Sequence, residues 1–270
     1  MCDVLGVGSS SFYDWLRGQP SARTKENQKL AIKIKEIFMD SRCNYGTRRI
    51  RHMLLSQGVK ISRRRVGKLM KKQNLCCKTK RKFKLTTDSK HLYSISPNLL
   101  ERDFTALHPD QKYVGDITYI WTAEGWLYLA TVIDLYSRRI VGWSMDKNMK
   151  AELVNDAFLM ALWKRKPNRG LIWHTDRGSQ YASISHRKIL KEHYVTQSMS
   201  RKGDCWDNSV AESFFHTLKT ELTHHVFFKT REEAKQAIFE YIEVFYNRNR
   251  IHSANDYLSP ADFEKRKKIN

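Results

Sequence analysis

Most acidic residues of this 270-residue chain sit among polar neighbours, but three do not. Asp116 interrupts the apolar stretch VGDITYI, where a lone charge is costly unless it is paired or metal-bound. Asp176 follows the apolar run LIWHT, at what reads as the carboxyl end of a strand. Open α/β sheets place their ligand crevices at such ends. Glu212 falls one turn into a helix that starts near Ser209. Fifty-nine residues separate Asp116 from Asp176, and 35 separate Asp176 from Glu212. Phosphodiester cleavage needs an activated oxygen nucleophile and a stabilised leaving oxygen, and two hard cations ~3.5–4 Å apart supply both. Three carboxylates without Cys or His therefore point to two Mg²⁺ (or Mn²⁺) ions rather than zinc. Each carboxylate also has a structural alternative. Asp116 suits a paired buried acid, Asp176 a cap on the loop toward Ser179, and Glu212 a capping box with Ser209.

The elements that must position these residues follow from hydrophobic period and turn signals. Lys112 to Ile120, Trp126 to Asp134 and Arg139 to Met145 read as three strands, with a turn at Thr122 to Gly125. Ala151 to Lys164 is a helix, Leu171 to His174 a short buried strand, Ser179 to His193 a helix and Val195 to Met199 a strand. Helices follow over Ser209 to Leu222 and over Thr230 to Phe245, the latter opened by a capping box of Thr230 and Glu233. Three antiparallel strands, then helices alternating with two more strands, make a mixed α/β sheet flanked by helices.

Charge points to the partner. The chain carries 49 Lys and Arg against 28 Asp and Glu, a net of +21, which suits nucleic acid or an anionic surface. No apolar window is long enough for a membrane span, and the first residues lack the order of a signal peptide. Five cysteines without a Cys-x-x-Cys spacing disfavour a disulfide framework or a zinc knuckle and suit a reducing cytoplasm. Residues 1–110 hold 24 Lys and Arg against 9 Asp and Glu, a net of +15, and the remainder carries +6. The front half reads as short helices over Leu5 to Leu16 and Lys25 to Met39, then a helix bearing Ile50, Met53 and Leu54. A turn follows at Gly58 to Ile61, and Ser62 caps a basic helix with Val66, Leu69 and Met70 inside. This is a helix-turn-helix pattern, with Arg48, Arg49, Arg63, Arg64, Arg65 and Lys68 as candidate DNA contacts; the alternative is a helical hairpin with a solvated face. The expected division is a helical DNA-binding region over 1–77, a basic linker over 78–109 that tracks phosphates, and a catalytic core over 110–270.

VGDITYI, HTDRGSQY and RKGDCWDNSVAESFFHTLKTEL resemble the three motifs of the retroviral-integrase-type transposases, whose Asp-Asp-Glu signature has the same 35-residue gap. More narrowly, the chain is similar to the OrfB products of bacterial insertion sequences, through LGVGSSSFYDWL, YGTRRIRHMLLSQGVKISRRRVGKLM and the tail YNRNRIHSANDYLSPADFE. The resemblance implies a ribonuclease-H-like five-stranded core with Asp116, Asp176 and Glu212 as the metal-binding triad. It also brings forward Lys219, seven residues and so two helical turns past Glu212, as a DNA contact; a plain surface lysine is the alternative. Asn208 would cap the glutamate helix or help hold the triad, and Gly178, Ser179 and Gln180 would shape the loop after Asp176. Arg250, with Arg248 and His252, fits the tail pattern of a DNA contact or a structural role. His174 and His216 read as structural. The tail departs from the family pattern at Asn255-Asp256.

The resemblance implies a transposase that cleaves DNA and transfers the freed 3′-hydroxyl to a target phosphodiester. Its partners would be the element's terminal inverted repeats and target DNA. A homo-oligomer, at least a dimer when active, and an upstream OrfA segment complete the expected assembly, in the cytoplasm and on the nucleoid. Two other readings stand beside it: a DNA-binding regulator or partial product that needs an upstream fused segment, and a nuclease of the same fold.

Overall fold

In the first unit, apolar residues at three- and four-residue spacing make Leu30, Ile34, Ile37 and Phe38 one stripe of α2 (Ala22–Asp40). The stripe packs with Ile50 and Leu54 of α3 (Thr47–Ser56) and Val66, Leu69 and Met70 of α4 (Arg63–Lys72) into a small core. The preceding α1 (Ser9–Leu16) buries none of its residues. Helix α3 ends in two bonds, from Gly58 N–H to the Leu55 carbonyl and from Val59 N–H to the Leu54 carbonyl. That closure needs a left-handed residue, and Gly58 supplies it at φ +77°. Ser62 then caps α4 by accepting from the Arg65 N–H at 3.2 Å.

The computed structural model describes residues 1–18, 20–78, 94–201 and 204–267, and its contacts divide the chain into Met1–Lys78 and Thr79–Asn270. The basic linker expected over 78–109 lies outside the described residues from 79 to 93. Its last part is not linker. Leu100 is 2% exposed inside the core of the second unit, and the Leu99 N–H donates to Ser198 Oγ at 2.9 Å. The basic composition of 78–90 masked the change to packed chain at residues 94–109.

The second unit is a five-stranded mixed sheet in the order β3-β2-β1-β4-β5, the ribonuclease-H-like arrangement. Strands β1 (Lys112–Thr122), β2 (Gly125–Asp134) and β3 (Ile140–Asp146) form an antiparallel meander, and β4 (Ile172–Thr175) and β5 (Thr196–Met199) run parallel to β1. Helix α5 (Ala151–Arg165) lies directly on β3. A Cβ at Gly142 would stand 2.1 Å from the Ala157 carbonyl oxygen, so only glycine permits this approach. One face buries Tyr113, Ala130, Val132 and Trp173 with α5. The other buries Val114, Ile120, Leu127 and Leu129 with α8 (Ser209–Leu218) and α9 (Arg231–Phe239). The tail helix α10 (Pro260–Lys267) is fastened by Glu264, which accepts from Arg139, Arg165 and Ser137. No helix among the described residues is long and apolar enough to cross a membrane.

Three expected helices are interrupted. Ser179 to His193 divides into α6 (Ser179–Ala182) and α7 (Ile184–Glu192), because Ser183 adopts an extended backbone and caps α7 through the His186 N–H. Helices α8 and α9 pass into π-helical turns at Lys219–Thr223 and Glu240–Tyr246. The Thr230 cap of α9 forms, but the Glu233 carboxylate turns back to the Lys229 N–H rather than to that of Thr230.

His186 is fully buried behind the sheet. Its Nε2 accepts from Trp173 Nε1–H at 2.9 Å, so the ring proton sits on Nδ1, facing Asn155 Oδ1 at 2.9 Å. Burial lowers its pKa to about 4. A histidine depressed in the fold is neutral and stabilising above its unfolded pKa of ~6.5. As pH falls from there to about 4, the unfolded chain binds the proton first and stability is lost, by about 3 kcal/mol at most. Urea titrations between these limits check this, and His186→Gln should flatten the dependence.

Candidate active site

The parallel pairing of β1 with β4 runs through Lys112 and Ile172, Tyr113 and Trp173, and Val114 and His174. Continued by two residues, the same register sets Asp116 beside Asp176. The sequence thus delivers two acids to neighbouring strands, one within β1 and one on the first residue past β4. A Cβ at Gly115 would lie 2.1 Å from the Trp173 ring, so the glycine beside Asp116 lets the indole slide under the strand. Glu212 comes from the first turn of α8, which packs on β1.

Two residues hold that helix in place. Asn208 occupies the N-cap position but makes no cap bond; its Nδ2 donates to the Gly115 carbonyl at 3.1 Å. The amide thereby ties the start of α8 to the residue next to Asp116. Its Oδ1 is buried with no hydrogen-bond partner among the described residues. Asp207 is fully buried at the end of the turn Cys205–Asn208. It accepts from the Arg201 N–H, Nε and Nη2 at 2.9–3.0 Å, from Arg102 Nε at 3.1 Å and from Asn98 Nδ2 at 3.0 Å. The Arg201 guanidinium is the first cause holding the Asp207 carboxyl well below the usual carboxylate range.

Two of the structural alternatives fail here, and one is realised in part. Ser209 lies inside α8 rather than at its cap, so Glu212 forms no capping box and its side chain stays exposed. Asp116 has no Lys or Arg within ion-pair distance among the described residues; its Oδ1 accepts only from the Ile117 N–H, at 2.8 Å. Asp176 does close its loop, accepting from the Gly178 N–H at 2.9 Å, which leaves its second oxygen to other partners. Burial, then the charges of Asp176 and Glu212, raise the Asp116 carboxyl well above its usual range, while Ile117 N–H and Lys219 pull the other way. Partial loss of solvent around its carboxyl also raises Glu212, although the residue as a whole is exposed.

Asp116 senses the charges of Asp176 and Glu212, yet among the described residues no three His, Cys, Asp or Glu side chains close into a ready cage. The fit to a hard cation rests on the donors themselves. All are carboxylate oxygens, Asp116 has no ion pair among the described residues to offset the charges of the other two, and Mg²⁺ keeps several waters and asks for few protein ligands. Tyr181, which the sequence reading did not single out, belongs here too. Its hydroxyl is fully buried and unpartnered among the described residues, and Asp116 and Asp176 add to the burial that pushes its pKa up.

The other expected residues separate by surroundings. Lys219 opens the π-helical turn after α8, with Nζ 4.8 Å from the Tyr119 ring centroid and within electrostatic reach of Asp116. Gln180 donates to the Met149 carbonyl at 3.0 Å and accepts from Ser179 Oγ, so both side chains shape the loop. A Cβ at Gly178 would press to 3.0 Å on Asp176 Oδ1. In the first unit Arg48, Arg63, Arg64 and Lys68 are exposed, Arg63 also bonding Thr47, while Arg49 stacks on Tyr45. Arg65 is held by Glu26 and Asn27 and braces α4 against α2.

Arg250 corrects the expectation of a DNA contact. It is 4% exposed, with its guanidinium on both oxygens of Glu221 at 2.8–3.1 Å. It anchors the π-helical turn that carries Lys219. A buried arginine and a DNA-facing one look alike in sequence, because the Glu221 partner lies in another element. His174 is likewise structural, bonded to Ser198 and Ser200.

Comparison with known proteins adds to this geometry. Models described as Integrase core domain match residues 106–205 and 212–267, and one described as HTH-like domain matches 25–83. The chain is 46% identical over 266 residues to the transposase InsF for insertion sequence IS3A of Escherichia coli K12, covering 98% of this chain and 92% of that protein. It is 44% identical to the insertion element IS600 uncharacterized 31 kDa protein of Shigella sonnei, covering 98% of both. Among solved structures, the HTLV-2 integrase catalytic core domain in complex with magnesium is 15% identical and covers 59% of this chain and 99% of its own, with TM-score 0.47.

Proposed function

The chain belongs to the insertion-sequence transposases that include InsF of IS3, enzymes of the polynucleotidyl transferase class, and from that membership we propose a two-cation DNA strand-transfer reaction at Asp116, Asp176 and Glu212. The observation that carries the reading is that carboxylates from β1, from the residue after β4 and from the first turn of α8 raise the Asp116 carboxyl together, with no ion pair among the described residues to neutralise Asp116. Bound to these oxygens, Mg²⁺ or Mn²⁺ ions would supply an activated water or 3′-hydroxyl and stabilise the leaving oxygen.

The chain's own residues do the rest. Asn208 and Asp207 hold Glu212 toward β1, and the Asp176 loop is fixed by Gly178 and Gln180. Lys219 offers a cation beside the carboxylates for a DNA phosphate. Arg64 and Lys68 present the exposed side of α4 to duplex DNA, the terminal inverted repeats and the target being the substrates. Joining two DNA ends calls for at least two protomers in the active complex, and an upstream OrfA segment is the further protein partner of this reading.

The test is incubation of the chain with element-end duplexes, target DNA and Mg²⁺. Nicked ends and joined products support the proposal. Nicking without joining favours a nuclease, and joining seen only when an upstream segment is supplied favours the partial-product reading.

A further inference from the structure

The tip of the β1–β2 hairpin carries two exposed tryptophans, Trp121 and Trp126, beside Tyr119 and the core-packed Tyr128. The register pairs Tyr119 with Tyr128 and Trp121 with Trp126, which sets four rings on one face as a two-by-two grid. Their neighbours Ile120, Leu127 and Leu129 alternate to the opposite face and are buried in the core with α8 and α9. On the grid face, α5 covers the sheet around Ala130 and Val132 and leaves the tip in water. Trp121 is 53% exposed and Trp126 43%.

The rings hold one another in place. Trp121 and Trp126 meet edge to face at 4.7 Å between centroids, Tyr119 and Trp126 at 4.9 Å, and Lys219 Nζ stands over Tyr119. The result is a ladder that starts at a lysine beside the carboxylates and climbs through Tyr119 and Trp126 to Trp121. A rigid pair of exposed indoles offers stacking surface at little cost in side-chain entropy. Bases within a duplex are already stacked on both sides, whereas an unpaired base has a free face, and such bases stack on aromatic side chains whatever their identity.

Charge around the grid suits a phosphate backbone. Lys147 and Lys150 are exposed in the turn after Asp146, the residue that pairs with Tyr128. The nearby acids are engaged: Glu124 accepts from the Arg231 N–H and Asp146 from the Asn148 N–H. Trp121 lies five residues along β1 from Asp116, roughly 17 Å at ~3.3 Å per residue, or about five nucleotides of stacked strand; the odd step sets the two side chains on opposite faces of β1, so the DNA strand passes around its edge by Lys219, which stands over Tyr119 and reaches Asp116 electrostatically.

We propose that the Tyr119, Trp121 and Trp126 face is a stacking platform for unpaired bases of a DNA strand flanking the phosphodiester held at the carboxylates. This rests on the DNA strand-transfer reading above. The test uses the full chain without divalent metal, a fluorescent blunt duplex, and the same duplex with a single-stranded oligothymidine flank. The flank should tighten binding about tenfold and quench tryptophan emission. Trp121→Ala with Trp126→Ala should lose that gain while keeping its circular dichroism and its affinity for the blunt duplex, and the double Phe variant should keep most of it. Should the double Ala variant fail to fold, Trp121→Ala alone carries the test.

A flank that adds nothing to wild type, or a gain that survives in the folded Ala variant, overturns the platform. So does an Ala variant that sediments as a smaller oligomer than wild type, since a second copy of the chain would then cover the rings. If the chain binds no duplex at all, the functional reading falls with it. If duplex is bound and joined but the flank is ignored, the platform alone falls.

Discussion

Asp116→Asn should abolish strand cleavage and joining, by about a thousandfold or more, while leaving the melting temperature unchanged or higher. The two halves of this expectation share one cause. Asp116 is a half-buried acid beside two others, with a single backbone N–H donor and no ion pair among the described residues, so the fold holds its charge at a cost. An amide keeps the shape, removes the repulsion and replaces an anionic pair of oxygens by one neutral, weaker donor to a divalent cation. Functional sites commonly trade stability for activity in this way. Glu212→Gln should lose activity equally, with less effect on stability because its side chain is exposed. Gel assays of nicking and strand transfer, calorimetry and duplex binding read the three quantities separately. Activity retained in either variant sinks the assignment, and a large fall in melting temperature for Asp116→Asn would make Asp116 a structural acid instead.

Much of this was legible in the chain because chemistry and packing leave opposing marks. An acid inside VGDITYI conflicts with its own strand, and such conflicts mark function more often than error. The strands and the helix-turn-helix carried strong local signals: alternation, a glycine turn at Gly58 and a serine cap at Ser62. What escaped is nonlocal. The break at Ser183 has no glycine or proline to announce it and depends on a serine cap. Arg250 looked like a DNA contact because its partner Glu221 sits in another element. Residues 94–109 looked like linker because Leu100 finds its core only in three dimensions. Tyr181 and Gly115 were inside motifs already noticed, yet their roles come from which side chains cross over to meet them.

Asp207 was also inside a quoted motif, and it carries the second large effect. Asp207→Asn should lower cleavage about a hundredfold and raise the Mg²⁺ concentration needed for half-maximal activity about tenfold, with duplex affinity unchanged. The carboxylate gathers Arg201, Arg102 and Asn98 at the turn that feeds directly into Asn208 and α8. Its own atoms do not meet the carboxylate triad, so it acts as a positioning residue. An amide of the same size can accept at one oxygen only, and it places an NH₂ against guanidinium donors that need an acceptor. The turn then loosens, and Glu212 is no longer presented at a fixed distance from Asp116. Groups that orient a ligand from behind typically cost ten- to a hundredfold in metal affinity or activity when removed, and an ångström of misplacement costs a similar factor in rate. Metal dependence separates this from simple unfolding. A misplaced glutamate is partly compensated by more Mg²⁺, whereas a smaller folded fraction lowers activity at every Mg²⁺ concentration alike. Asp207→Glu should behave like the Asn variant, because a longer side chain cannot keep the Arg201 and Asn98 bonds while α8 stays tied to Gly115. An unchanged Mg²⁺ requirement in a folded Asp207→Asn chain would show that the arginine cluster serves the turn alone and that Asn208 suffices to place Glu212.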